Sequence, residues 1–210
     1  MAAAMAEPRY PLLSLTRLRM GIDGPGVTTL VAGAGCPLNC RWCINQKLLR
    51  EAKPENVTAQ ELYERVKIDD LYFRASGGGI CFGGGESLLH ADFIRSFRAV
   101  CPPGWLICAE TSLAVPPASV RIAAETVDFF IVDCKDMDEE IYRRYTGGDG
   151  ALMKANLRLL LSLVEPERVL ARVPLIPEYN TPADRARSAD ALKAMGVTQL
   201  DLFDYVIKAQ

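Results

Sequence analysis

Three thiols lie within one short stretch, Gly35-Cys36-Pro37-Leu38-Asn39-Cys40-Arg41-Trp42-Cys43. Thiolates are soft ligands, and a loop this short wraps one tetrahedral metal or one face of an iron-sulfur cube. No fourth Cys or His lies near Cys36, Cys40 and Cys43 in the sequence. A structural zinc site is normally closed by four protein ligands, whereas three thiolates on a cube leave one corner open to an outside ligand, and an open corner suits chemistry. Zinc stays as an alternative. So does a chance cluster of buried small hydrophobes, since free Cys is among the most buried residue types.

Two further groups of residues have chemical potential. In Ala75-Ser76-Gly77-Gly78-Gly79-Ile80-Cys81-Phe82-Gly83-Gly84-Gly85-Glu86-Ser87, glycine runs bracket a short apolar segment and a carboxylate follows. Glycines at a strand end permit positive φ and a close approach of backbone to a ligand, although such a run is a flexible loop about as often. Glu110-Thr111-Ser112 and Asp133-Cys134-Lys135 bring carboxylates, a hydroxyl and a lysine. Oxygen ligands suit a hard cation and an ammonium suits a carboxylate; the plainer reading is solvated salt bridges at loop ends. His90 is the sole histidine and, at a predicted helix start, is read as a surface or capping residue despite a pKa range suited to acid-base work. Cys81, Cys101, Cys108 and Cys134 have apolar neighbours and are read as buried structural thiols.

The elements that must position these groups alternate regularly. Apolar, β-branched runs predict strands at 27–32, 80–82, 105–109, 129–132, 169–173 and 199–203. Between them, capping signals and apolar spacing predict helices at about 58–70, 92–101, 117–125, 138–145, 151–164 and 182–195; Thr58-Ala59-Gln60-Glu61 is a capping box and Gly196 ends the last helix. Residues 10–23 read only as a short strand or packed entry segment. Strands apolar on both faces and alternating with helices imply a parallel sheet with right-handed crossovers, in an open doubly wound sheet or a barrel. Each chemical group lies just after a predicted strand, where such folds carry their sites.

Length and composition narrow the classes. A chain of 210 residues fits one domain burying about 70% of its unfolded surface. The expected division is a single domain over 1–210, with a lead-in at 1–22 and a core at about 23–206. Half of the residues are hydrophobic and the net charge is -2, with Lys and Arg scattered, so no basic field for nucleic acid is present. The start lacks the basic and apolar regions of a signal peptide, and no run approaches a membrane span. Seven cysteines without an export signal argue for a reducing interior, hence a cytoplasmic location.

Cys36, Cys40, Trp42 and Cys43, spaced as Cys-x-x-x-Cys-x-aromatic-Cys, resemble the cluster loop of the radical S-adenosylmethionine (SAM) enzymes. The resemblance implies a partial barrel of six strand-helix units with parallel strands, open at one side. It implies a 4Fe-4S cluster on Cys36, Cys40 and Cys43, and SAM chelated to the fourth iron by its methionine amino and carboxylate groups. Electron transfer to the sulfonium then yields a 5'-deoxyadenosyl radical that abstracts hydrogen, with no catalytic side chain beyond the cluster site.

Ile22-Asp23-Gly24-Pro25-Gly26-Val27 and the Gly-Gly-Gly and Gly-Gly-Glu elements resemble the glycyl-radical-enzyme activating enzymes, those of pyruvate formate-lyase among them. In that family the Gly-Gly-Glu element supports the SAM amino group, a role carried here to Gly84, Gly85 and Glu86. Trp42, Asp133, Lys135 and Arg172 are the further cofactor-binding residues implied. Glu110, Thr111 and Asp133 correspond to a monovalent cation site, with Glu110 replacing a shorter Asp. Pro177-Glu178-Tyr179-Asn180 resembles the family's Pro-Gly-x-Asn turn with Glu178 where Gly is usual, and Val206 stands where a histidine holding SAM is usual. No further cysteine lies between Cys43 and Gly77, so an inserted ferredoxin-like module is not expected. The implied partners are a glycyl radical enzyme and a flavodoxin- or ferredoxin-type reductant, with the chain a monomer. Because only a few residues follow Phe203, a macromolecular partner rather than a C-terminal lid is expected to close the open side. A radical SAM enzyme acting on a small molecule or peptide, and a non-enzymatic zinc or iron-sulfur protein, are the alternatives.

Overall fold

The computed structural model describes residues 7–205. One eight-stranded sheet runs in the order β3-β1-β2-β4-β5-β6-β7-β8, with β1 at Tyr10–Met20, β2 at Val27–Gly33, β3 at Glu55–Val57, β4 at Gly79–Gly84, β5 at Leu106–Thr111, β6 at Phe129–Asp133, β7 at Val169–Leu175 and β8 at Gln199–Asp204. The six strands from β2 to β8 across the sheet pair in parallel and match the six expected. The sheet is not closed: its edges are β3 and β8. This bears out the α/β fold of parallel strands, open at one side, that the resemblance implied as a partial barrel, and an antiparallel pair extends it at one edge.

That pair differs from the expected lead-in. β1 is eleven residues long and pairs antiparallel with β2 and with β3. A bulge between Leu12 and Ser14 flips its alternation, so Tyr10, Leu12 and then Leu15 face the core while Ser14 and Thr16 border the cavity, and Arg17 and Arg19 follow; no unbroken two-residue apolar alternation marks it. Arg17 forks onto the fully buried Asp69, which also accepts from Thr29; this pins β1 and β2 to the loop ahead of β4.

Helices α1 (Gln46–Glu51), α2 (Ala59–Val66), α3 (Asp70–Ser76), α4 (Ala91–Val100), α5 (Pro117–Thr126), α6 (Glu139–Thr146), α7 (Gly150–Leu161) and α8 (Pro182–Ala194) connect the strands. The Thr58 capping box forms as expected, with Glu61 returning a bond to the Thr58 amide. The helix predicted to end near Asp70 instead breaks at a short 3-10 turn, Lys67–Asp69, and resumes as α3. One apolar core of Ile80, Phe82, Phe93, Phe97, Ile107, Phe130, Val132 and Val173, with many others, lies between sheet and helices. Among the described residues no helix is long and apolar enough to cross a membrane.

Candidate functional site

The inner face of the sheet and the carboxyl ends of its strands line a cavity of about 840 Å³. Cys36, Cys40, Cys43, Gly84, Gly85, Glu86, Glu110, Thr111, Asp133, Lys135 and Arg172 all border it. The structure thus gathers every described residue assigned to the cluster, SAM or the cation except Trp42, which lies within the cysteine loop itself. Val206 lies outside the described residues.

The cysteine loop follows β2 and has little regular structure of its own. It is held from below by α6: the Asn39 amide donates to the Thr146 carbonyl at 2.8 Å and the Arg41 amide to the Tyr145 carbonyl at 3.2 Å. These are orphan carbonyls of the helix C-terminus, which the loop satisfies. Leu38 packs against Gly148, where a Cβ would overlap its side chain. Burial pushes the Cys40 thiol up to about 11 against the pull of Lys135, and Cys36 is raised by burial too. Both thiols are therefore protonated in the protein alone, and binding a metal group must expel those protons. Three soft donors on one wall of a cavity fit an iron-sulfur cube with an open corner. Among the described residues, no three His, Cys, Asp or Glu side chains gather tightly enough for one bare ion.

Beside the thiol loop stands a braced carboxylate. Glu86, 2% exposed, accepts from the Leu88 amide at 3.1 Å, the Thr111 hydroxyl at 2.6 Å, and the Ser112 amide and hydroxyl at 2.8 and 2.6 Å. Burial raises its pKa, and these donors from Ser112, Thr111 and Leu88 pull it back. Both carboxylate oxygens are occupied, so Glu86 fastens β4 to β5 rather than offering a free carboxylate to a ligand. Gly85 lies so close to the Gly35 carbonyl that a Cβ would overlap it; the two glycine loops meet there, and the Glu86 amide donates to that same carbonyl at 2.8 Å. The earlier glycine run, 77–79, sits at the amino end of β4, away from the cavity.

The polar end of the cavity is formed by neighbouring strand ends. Lys135 donates to Asp133 at 3.0 Å and lies 5.9 Å from the centre of the Tyr205 ring. Burial alone would disfavour its ammonium, but Asp133, then Tyr205 and Cys40, outweigh this and raise the pKa, so Lys135 stays charged. Arg172 donates to Glu110 at 2.8 Å and to the Ile22 carbonyl. The latter contact draws the β1-β2 turn across the cavity floor, where Arg19 pairs with the buried Asp23. Burial and the facing Asp133 raise the pKa of Glu110, and Arg172 opposes them.

Other residues reach the site without having been singled out. Asn45 donates from its amide nitrogen to the Gly84 carbonyl at 2.8 Å, tying the cysteine loop to the glycine end of β4. Phe203 on β8 and Tyr205 just after it border the cavity. The Trp42 indole N-H and the Tyr142 hydroxyl are buried without a hydrogen-bond partner, and the Tyr145 ring packs edge-on to Tyr179 and Tyr205. Asn45, two residues past Cys43, was findable from that position. Tyr142 and Tyr145 were not, because only α6 docking under the loop makes them relevant. His90 occupies the N-cap position of α4 without a side-chain capping bond, and is half-buried rather than a surface residue: its Nε2 lies 3.0 Å from the Ala34 carbonyl, and its ring packs edge-on to Tyr10.

A family model described as the Radical SAM superfamily matches residues 30–200. The chain belongs to this superfamily. Membership implies a 4Fe-4S cluster and SAM, for which the three-thiol loop and the adjoining cavity are fitted. The pyruvate formate-lyase 2-activating enzyme of Escherichia coli (strain K12) is 30% identical over 215 residues, spanning 87% of this chain and 73% of its own. The choline trimethylamine-lyase activating enzyme of Oleidesulfovibrio alaskensis is 27% identical over 243 residues, spanning 87% and 77%. These relatives make the radical SAM chain an enzyme of the glycyl-radical-activase kind. Among solved structures, QueE from Escherichia coli superposes with a TM-score of 0.60 at 12% identity, over 94% of this chain and 84% of its own. SuiB of Streptococcus suis, bound to its precursor peptide SuiA, gives 0.66 at 12% identity over 86% and 41%. The structural likeness shows the radical SAM fold.

Proposed function

We propose that this radical SAM enzyme installs a glycyl radical on a partner enzyme, receiving its electron from a flavodoxin- or ferredoxin-type protein. The observation that carries the reading is the meeting of three thiols, a glycine-lined strand end and a buried lysine on one cavity, in a chain whose relatives are activating enzymes. When bound, the cluster and SAM supply one-electron cleavage of a carbon-sulfur bond and hydrogen abstraction from the partner.

The chain's own residues bind, orient and exclude water. Cys36, Cys40 and Cys43 hold the cluster. Lys135, kept charged by Asp133, takes the methionine carboxylate, because an ammonium-carboxylate bond is strong where water is scarce. The backbone carbonyls at Gly84 and Gly85 face the methionine ammonium, with Glu86 bracing them rather than reaching out itself. Trp42 and Arg172 complete the SAM contacts. A monovalent cation at Glu110, Thr111 and Asp133 would share its carboxylates with Arg172 and Lys135, and the Thr111 hydroxyl is already turned to Glu86. Potassium dependence of SAM binding tests that site.

The test of the function is electron paramagnetic resonance. Reduced, cluster-loaded protein mixed with SAM and a glycyl radical enzyme, or a peptide from its radical loop, should give a glycyl doublet, and SAM cleavage should accelerate. Rapid turnover of a small metabolite with no protein partner would contradict the activase reading.

A further inference from the structure

The segment that carries the thiols continues past Cys43 into α1 and the link to β3. Between residues 36 and 54 stand Arg41, Lys47, Arg50 and Lys53 against Glu51 alone, a local excess of positive charge in a chain whose net charge is -2. Most cations of the described residues are held in ion pairs, as Arg65 is by Glu55 and Arg74 by Asp70, or donate to carbonyls, as Arg168 does. Arg41, Lys47, Arg50 and Lys53 make neither kind of contact, and all four are exposed. The others in that condition among the described residues, Arg121 and Arg158, lie apart on α5 and α7. The helix is unusual too: none of the residues of α1 is buried, whereas a surface helix ordinarily buries one face. Lys47 and Arg50, three residues apart, are neighbours on its surface, while Leu48 borders the cavity. A basic surface thus adjoins the thiols, of which Cys36 is exposed and Cys40 and Cys43 are half-buried. The open side of the sheet, between the β1-β2 turn and β8, has the opposite character. Its charges are paired, Arg19 with Asp23 and Arg172 with Glu110, and its exposed side chains include the apolar Met20, Ile22 and Leu202.

We propose that the basic surface of Arg41, Lys47, Arg50 and Lys53 docks an acidic electron-donor protein, and that the enzyme receiving the radical approaches by the apolar open side instead. This inference rests on the radical SAM reading of the three cysteines and deepens it by giving each protein partner its own face. In the docked complex the donor loses one electron and the cluster held by Cys36, Cys40 and Cys43 gains it; no bond forms or breaks. Complementary charge steers such encounters, raising association rates by about 10- to 1000-fold at low salt. Cations left unpaired within the chain are the ones free to act in this way, since no carboxylate of their own cancels their field.

The experiment compares anaerobically reconstituted wild type with the double variant Lys47→Glu/Arg50→Glu, using a flavodoxin of net negative charge as the probe. Equilibrium titration should show flavodoxin binding weakened at least about tenfold in the variant, and wild-type binding should weaken as salt is raised from about 0.05 to 0.5 M. Reduction of the cluster by the reduced flavodoxin should slow by a similar factor. Iron content, reduction by photoreduced 5-deazariboflavin, and radical formation on the partner enzyme with that reductant should stay as in wild type. Equal flavodoxin affinity in the two proteins overturns the proposal. So does a variant that binds and is reduced normally but no longer delivers the radical, which would assign the basic surface to the partner enzyme. If the double variant loads no cluster, Lys47→Gln/Arg50→Gln takes its place, where an affinity about threefold weaker supports the proposal and an equal one overturns it. Wild type that loads a cluster but binds no flavodoxin overturns the proposal and leaves the functional reading standing. Wild type that takes up no iron-sulfur cluster overturns both together.

Discussion

At the cavity wall Glu86 accepts four hydrogen bonds; in and under the cysteine loop, the Trp42 indole N-H and the Tyr142 hydroxyl are buried with no partner in the protein. The first side is preorganised by the chain alone, with β4 and β5 locked through one carboxylate. The second is a loop of little regular structure, tied down by two amides, Leu38 and Asn45, with Trp42 on the loop itself and Tyr142 on the α6 helix that supports it. The contrast suits the proposed chemistry, because one wall must stay fixed while the other accepts a large inorganic group.

The comparison is broken most severely by Glu86→Ala. Two amides and two hydroxyls would be left buried without an acceptor, at a cost of about 3 to 5 kcal/mol. The melting temperature of the iron-free protein should fall by roughly 6 to 20 °C, as followed by calorimetry. A loss under about 1 kcal/mol would mean that the Glu86 side is no more rigid than the cysteine side.

Lys135→Ala sharpens the same contrast from the ligand side. It removes a charge-assisted bond worth about 1.5 to 3 kcal/mol, so SAM binding to reconstituted protein should weaken roughly 10- to 150-fold while iron content holds. Equilibrium titration with SAM checks this, and wild-type affinity would mean that the carboxylate lies elsewhere.

The smallest effect concerns a turn outside both walls. Glu178 has a φ of 70°, in the left-handed region that costs a side chain about 1 to 2 kcal/mol. Glu178→Gly should be neutral to about 1 kcal/mol stabilising in urea denaturation, with iron loading and SAM affinity unchanged. A change in either would extend the site to that turn.

Much of this was legible in the residues. Val31, Phe82, Ile107, Phe130 and Val173 lie in runs apolar on both faces, which is how a parallel strand buried on both sides must read, and so the sheet followed. The cysteine spacing and the glycine ends of strands stood out because few other arrangements need them. β1 was not legible, since Thr16, Arg17 and Arg19 interrupt its alternation and its reason for being extended lies across the sheet in β2 and β3. The bracing role of Glu86 was hidden because Thr111 and Ser112, its donors, come from the next strand. Tyr142 was hidden because nothing local sets it apart from any other apolar-facing helix residue.

The most direct test of the central claim compares anaerobically reconstituted wild type with Cys40→Ala, measuring iron, acid-labile sulfide and SAM cleavage after reduction. The account predicts about four irons and four sulfides per wild-type chain, with 5'-deoxyadenosine formed, and neither the cluster nor the product in Cys40→Ala. An intact, active cluster in Cys40→Ala, or a colourless wild type carrying one zinc, would contradict it.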